Sequence, residues 1–124
     1  MPRMEVILYR ESKDEVPLIT WLESIPERAR DHCLERLRLL EEFGHALRRP
    51  HADYLRDDIY ELRAKREGVN YRMLYFFHGR QAVVVSHGLV KQRADVPARE
   101  IERAIARKVA FRQDPKAHSF RGGR

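Results

Sequence analysis

The chain has 124 residues, 25 Lys/Arg against 19 Asp/Glu for a formal charge of +6, and is 43% hydrophobic and 35% charged. That is one domain's length, enough to bury a core without disulfide staples, and no apolar run approaches the roughly 20 residues a bilayer span needs. Six scattered histidines and the lone Cys33 show no HxxxH, HxH or CxxC spacing, so the pattern supports neither a metal site nor an internal disulfide.

The opening "MPRMEVILYR" lacks the long apolar stretch of a signal peptide. With a single cysteine, this predicts a reducing, cytoplasmic setting. Met4 to Tyr9 is β-rich and predicts a first strand. Glu15 to Glu23 predicts a helix, with Val16, Ile19 and Leu22 three apart, and Asp14 as the N-cap that puts Pro17 in the first turn. "SIPE" (Ser24 to Glu27) reads as a capping box opening a second helix. Ala29, Cys33, Leu37 and Leu40 form its apolar stripe, and Gly44 is its stop.

"HALRRPHADYLRDD" reads as a loop, since Pro50 forbids a regular helix through it. Strands are predicted at Ile59 to Lys65, Tyr71 to Phe77 and Ala82 to Val90, joined by the turns "EGVN" and "HG" as two successive hairpins. Asp95 and Pro97 announce a last helix with Ile101, Ala104, Ile105, Lys108 and Val109 on one side. The end, "DPKAHSFRGGR", has no period and predicts a frayed basic tail. The order is β-α-α-β-β-β-α: an α+β domain over 1–113, an antiparallel sheet with helices packed on one face, and a flexible tail over 114–124.

Charge is unevenly spread. Glu61 to Arg93 carries seven Lys/Arg against two acids, whereas Glu27 to Arg49 carries six arginines against five acids. A pI near 9.8 and cations gathered on the sheet point toward a polyanion. Strand alternation turns Glu61, Arg63 and Lys65 to one face and Tyr60, Leu62 and Ala64 to the other. Taken alone, Arg63 and Lys65 read as an ordinary solvated face. Arg72 is different: it interrupts the apolar strand "NYRMLYFF", where a charge is costly without a partner.

Its expected neighbours across the strands are Arg63 and Lys91, and cations converging without matching acids suggest an absent anion, a phosphodiester above all. Parity puts His87 with Val83, Val85, Leu89 and Lys91, as a buried neutral histidine or a proton carrier. Tyr75 reads as core or as a stacking residue, and Glu61 as a general base or a partner for Arg63. No P-loop, GxGxxG or GxSxG supports nucleotide hydrolysis or acyl transfer.

The ordered set "IYELR", "YR", "LYFF", V-x-x-H-G-x-x-K and Pro before "EIERA" resembles the core of the RelE/ParE toxin superfamily, in particular its HigB-like, phage-associated branch. The resemblance implies a RelE-like fold and the toxin of a type II toxin–antitoxin pair. It further implies a metal-independent mRNA endoribonuclease without cofactor, acting on ribosome-bound mRNA. In such enzymes the 2′-hydroxyl attacks the adjacent phosphate and leaves a cyclic phosphate. Carried over by position, Arg63, Arg72 and Lys91 hold the transition state electrostatically; Lys65, Tyr75 and Arg93 are the expected RNA contacts. Arginine is always protonated and cannot be the base. Lys65, Lys91 and His87 remain open for that role. Where the family has a lysine pair, this chain has Lys91-Gln92, so Arg93 is the substitute contact. The implied partners are mRNA, the ribosome and a small helix-turn-helix antitoxin that forms a hetero-oligomer with the toxin; no membrane is involved. A ParE-like gyrase poison, which lacks the cations, and a non-catalytic RNA-binding module are the alternatives.

Overall fold

Two-residue turns with both residues at positive φ organise the sheet. Glu67 and Gly68 (φ 51° and 80°) join β3 (Ile59–Arg66) to β4 (Val69–His78), the mirror-image turn whose twist matches that of antiparallel strands. Asp57 and Asp58 (φ 51° and 65°) make the same kind of turn between β2 (Ala52–Arg56) and β3, because a short aspartate side chain tolerates the left-handed region. The computed structural model describes residues 3–121. Its remaining elements are β1 (Glu5–Tyr9), α1 (Pro17–Ser24), α2 (Glu27–Phe43), a 3₁₀ turn at Gly44–Ala46, β5 (Ala82–Lys91), α3 (Ala98–Gln113) and β6 (Ser119–Phe120). Among the described residues, no helix is long and apolar enough to cross a membrane.

The class is α+β, with a mixed six-stranded sheet in the order β2-β3-β4-β5-β1-β6. Helix and strand order follow the sequence reading in outline, with three corrections. The segment read as a loop contains β2, paired to β3 through Ala52↔Leu62, Asp53↔Glu61 and Tyr54↔Tyr60. β1 runs parallel to β5, so the sheet is not wholly antiparallel. The helices cover both faces, not one. α1 and α2 close a core with Leu62, Met73, Tyr75, Val83 and Val85. α3 lays Ile101, Ala104 and Phe111 against Ile59, Leu74, Phe76 and Val84 on the other side. The physical reason lies in "MLYFF" and "AVVV": unbroken apolar strands have two faces to bury.

Helix starts also differ. Neither α1, capped at Val16, nor α2, capped at Pro26, has a side-chain cap, so the Asp14 cap and the Ser24 box do not form. Ser24 instead donates its hydroxyl to the Trp21 carbonyl at 2.6 Å. Gly44 does end α2, at φ 50°. The expected frayed tail is docked over its described part: β6 pairs antiparallel to β1, and His118 stacks on Tyr9 at 5.0 Å. The remainder of that tail, 122–124, lies outside the described residues.

Candidate functional site

Cross-strand register lays the α3 face of the sheet out in rows. Lys65, Asn70 and Lys91 form the outermost, and Arg63, Arg72 and Leu89 the next. Glu61, Leu74 and His87 form the third, and Phe76 with Val84 continue into the core beneath α3. Polar rows thus grade into apolar ones along the strands, and α3 covers the apolar end. Lys65 is exposed, and Asn70, Lys91, Arg63 and Leu89 are part-exposed.

The rows depend on a bulge. Leu74 faces His87 while Tyr75 faces Val85, so Ser86 is the extra residue on β5. One inserted residue reverses parity. His87, Leu89 and Lys91 therefore share the Arg72 face, and Val83 and Val85 point to the α1–α2 side, correcting the expectation that all five lie together.

Arg63 and Arg72 are direct cross-strand partners, and the expectation that no acid accompanies them is wrong. Glu61 lies between them, its side chain 3% exposed, with Oε2 at 2.8 Å from Arg63 Nη2 and Oε1 at 3.2 Å from Arg72 Nε. Asp53 on β2 adds a contact to Arg63 Nη2 at 3.3 Å and a forked hydrogen bond from Arg49 at 2.8 and 3.0 Å. The chain Arg49–Asp53–Arg63–Glu61–Arg72 runs across three strands. With Lys65 and Lys91, the area holds five cations against two carboxylates.

The Arg49 hydrogen bond, ahead of the opposing effect of burial, holds the Asp53 carboxyl below its ordinary range. Burial, partly offset by Glu61 and reinforced by Arg63, lowers the Arg72 pKa. Lys65, Lys91 and Arg93 make no ion pair among the described residues.

His87 is held inside the fold at both ring nitrogens. Burial, with Arg107 and Arg103 adding and Glu100 opposing, pushes its pKa down to about 4. The neutral ring donates from Nε2 to Glu100 Oε1 at 2.9 Å and accepts at Nδ1 from the Ser86 hydroxyl at 2.7 Å. Both nitrogens are engaged, and His87 acts as a link between β5 and α3. Tyr75, expected to stack on RNA, is 1% exposed on the opposite face and stacked on Tyr60 at 5.4 Å. Burial raises its hydroxyl pKa. Arg93 is exposed in the loop after β5, where it lines a cleft of about 740 Å³ with Leu89, Val96, Pro97 and Arg99.

Sequence reasoning missed Asp53 because it read β2 as a loop. It paired Glu61 with Arg63 only, although Glu61 also lies diagonally across from Arg72. Among the described residues no cluster of three His, Cys, Asp or Glu side chains could hold a metal ion. A family model described as Phage derived protein Gp49-like (DUF891) matches residues 20–109, from α1 through most of α3. No curated protein matches the chain.

Proposed function

We propose, from the premise that this chain belongs to the Gp49-like family of phage-derived, RelE/ParE-like toxins, that it is a HigB-like toxin that cuts mRNA without a metal. The observation that carries the reading is the pair of adjacent rows, Lys65–Asn70–Lys91, open to solvent, and Arg63–Arg72–Leu89, in which Arg63 is part-exposed, Arg72 is buried at 7% and Leu89 packs toward α3. Strands lie about 4.8 Å apart, so β3, β4 and β5 offer their cations within the span of one or two nucleotides.

In this reading the 2′-oxygen bonds to the adjacent phosphorus and the bond from phosphorus to the 5′-oxygen breaks. A 2′,3′-cyclic phosphate and a 5′-hydroxyl result. Arg63 and Arg72 stabilise the extra negative charge on the phosphoryl oxygens, since guanidinium forks match such oxygens. The proton leaving the 2′-hydroxyl and the proton reaching the 5′-oxygen fall to Lys65 and Lys91, because the arginines stay charged and both His87 nitrogens are occupied. Arg93 holds RNA beyond the scissile bond. The working place is the ribosome in the cytoplasm, and the restraining partner is a small helix-turn-helix antitoxin.

Induced expression is expected to arrest growth and fragment translated mRNA. Arg72→Ala should leave a folded domain whose cleavage rate is down roughly 10²–10³-fold, the usual cost of one preorganised donor. Intact transcripts with damaged DNA would replace this reading by a gyrase poison. Harmless expression with RNA binding retained would replace it by a non-catalytic module.

A further inference from the structure

Glu61 stands on the same face as two arginines and touches both. Its Oε2 accepts from Arg63 Nε at 2.9 Å and lies 2.8 Å from Nη2. Its Oε1 lies 3.2 Å from Arg72 Nε, yet neither atom has an aligned hydrogen bond, so both keep unused capacity in a buried place. Arg72 is fixed at a second point, donating from Nη1 to the Tyr71 carbonyl at 3.1 Å. Arg63 Nη1 and Arg72 Nη2 have no hydrogen-bond partner among the described residues.

We propose that Glu61 is a positioning residue for the cleavage: one buried carboxylate holds the Nε edges of Arg63 and Arg72 and leaves Arg63 Nη1 and Arg72 Nη2 to receive the scissile phosphate. The proposal rests on the RNA-cleaving reading of this face. The carboxylate has two opposite effects. It lowers the charge of the arginine pair, which weakens binding of RNA in its ground state. It also fixes two flexible cations in one geometry, which favours the transition state over the ground state.

Removing the negative charge while keeping the shape should therefore split the two quantities. In Glu61→Gln, binding of a short RNA made uncleavable by a 2′-deoxy residue at the cut site should tighten. The cleavage rate at saturating RNA should fall by about tenfold or more. Glu61→Asp keeps the charge but shortens the reach, so it should lose the Arg72 contact and cleave slowly without binding more tightly. The Nε–Hε NMR signal of Arg63, whose proton is bonded to Glu61, is expected to exchange slowly in the parent protein and faster in both variants.

A purely structural Glu61 would lower thermal stability and leave the rate and affinity of the folded fraction unchanged; that result overturns the proposal. Should Glu61→Gln not fold, full cleavage by Glu61→Asp overturns it equally. A parent protein that cleaves no RNA, free or ribosome-bound, sinks the nuclease reading instead. The NMR signal and the affinity for uncleavable RNA would still decide whether Glu61 orients the arginines.

Discussion

His87 carries a stability prediction that its hydrogen bonds make specific. Its folded pKa is about 4, below its ordinary 6.5. The unfolded chain therefore takes up a proton first as pH falls. The stabilisation from holding the ring neutral is complete above about pH 6.5 and is lost between there and about pH 4. The shift sets a ceiling of about 3 kcal/mol. His32, lowered mainly by burial, adds a smaller loss of the same sign. Asp53 acts in another window, since its depressed carboxyl loses its contribution only as pH falls through and below the ordinary 3.8. Thermal melts between pH 7 and 4.5 should show a falling Tm, and His87→Gln should flatten most of that slope. An unchanged slope would mean that other groups govern it. Parity alone found the cations of this face, because their strand period is regular. It wrongly grouped Val83 and Val85 with His87 because the Ser86 bulge leaves no mark in residue type, and it left Tyr75 open between core and base because an aromatic strand fits either.

The β2–β3 hairpin was hidden by Pro50 and by two acids where a glycine turn is the usual signal. "ADYLRDDIYELR" alternates on both sides of Asp57-Asp58, and that alternation was the available cue. Asp58 sits at φ 65°, where an L-residue is strained and glycine is not. Its side chain, largely exposed, reaches only Lys108 at 3.7 Å, while the Lys108 ammonium also donates to the Asp57 carbonyl at 2.6 Å. An exposed ion pair contributes little. Asp58→Gly should therefore raise stability by about 0.5 kcal/mol, seen as a higher urea midpoint with an unchanged slope. A lower midpoint would show that the Lys108 pair outweighs the backbone strain. The hairpin matters for the site because β2 brings Asp53 to Arg63. The helices were easier to read, since Ala29, Cys33 and Leu40 keep the helical period and are all buried.

Across the molecule, the sheet has two buried faces, and the Arg63–Glu61–Arg72 network with Lys65 and Lys91 lies at one end of the α3 face. On the α3 side the outermost row, Lys65, Asn70 and Lys91, is open to solvent, whereas Arg72 in the next row is buried. The α+β class and most of the element order followed from period and turn residues. The parallel β1–β5 pairing did not, because only the tertiary path of the intervening chain sets it. This asymmetry has a measurable consequence for RNA. A single-stranded partner that neutralises Z phosphates loses affinity with a logarithmic salt slope of about −0.7Z. For a short RNA that spans only the cleavage rows and does not reach Arg93, the cations Arg63, Arg72, Lys65 and Lys91 set an upper bound near −3 by that rule. The charge on Glu61 offsets one cation and brings the expected slope toward about −2. Lys91→Ala should flatten it by about 0.7, because Lys91 meets no acid among the described residues. Glu61→Gln should steepen it by a similar step. Affinity measured on an uncleavable RNA from low to moderate salt separates these. A slope near zero, or one that ignores both substitutions, would place RNA binding on some other part of the surface.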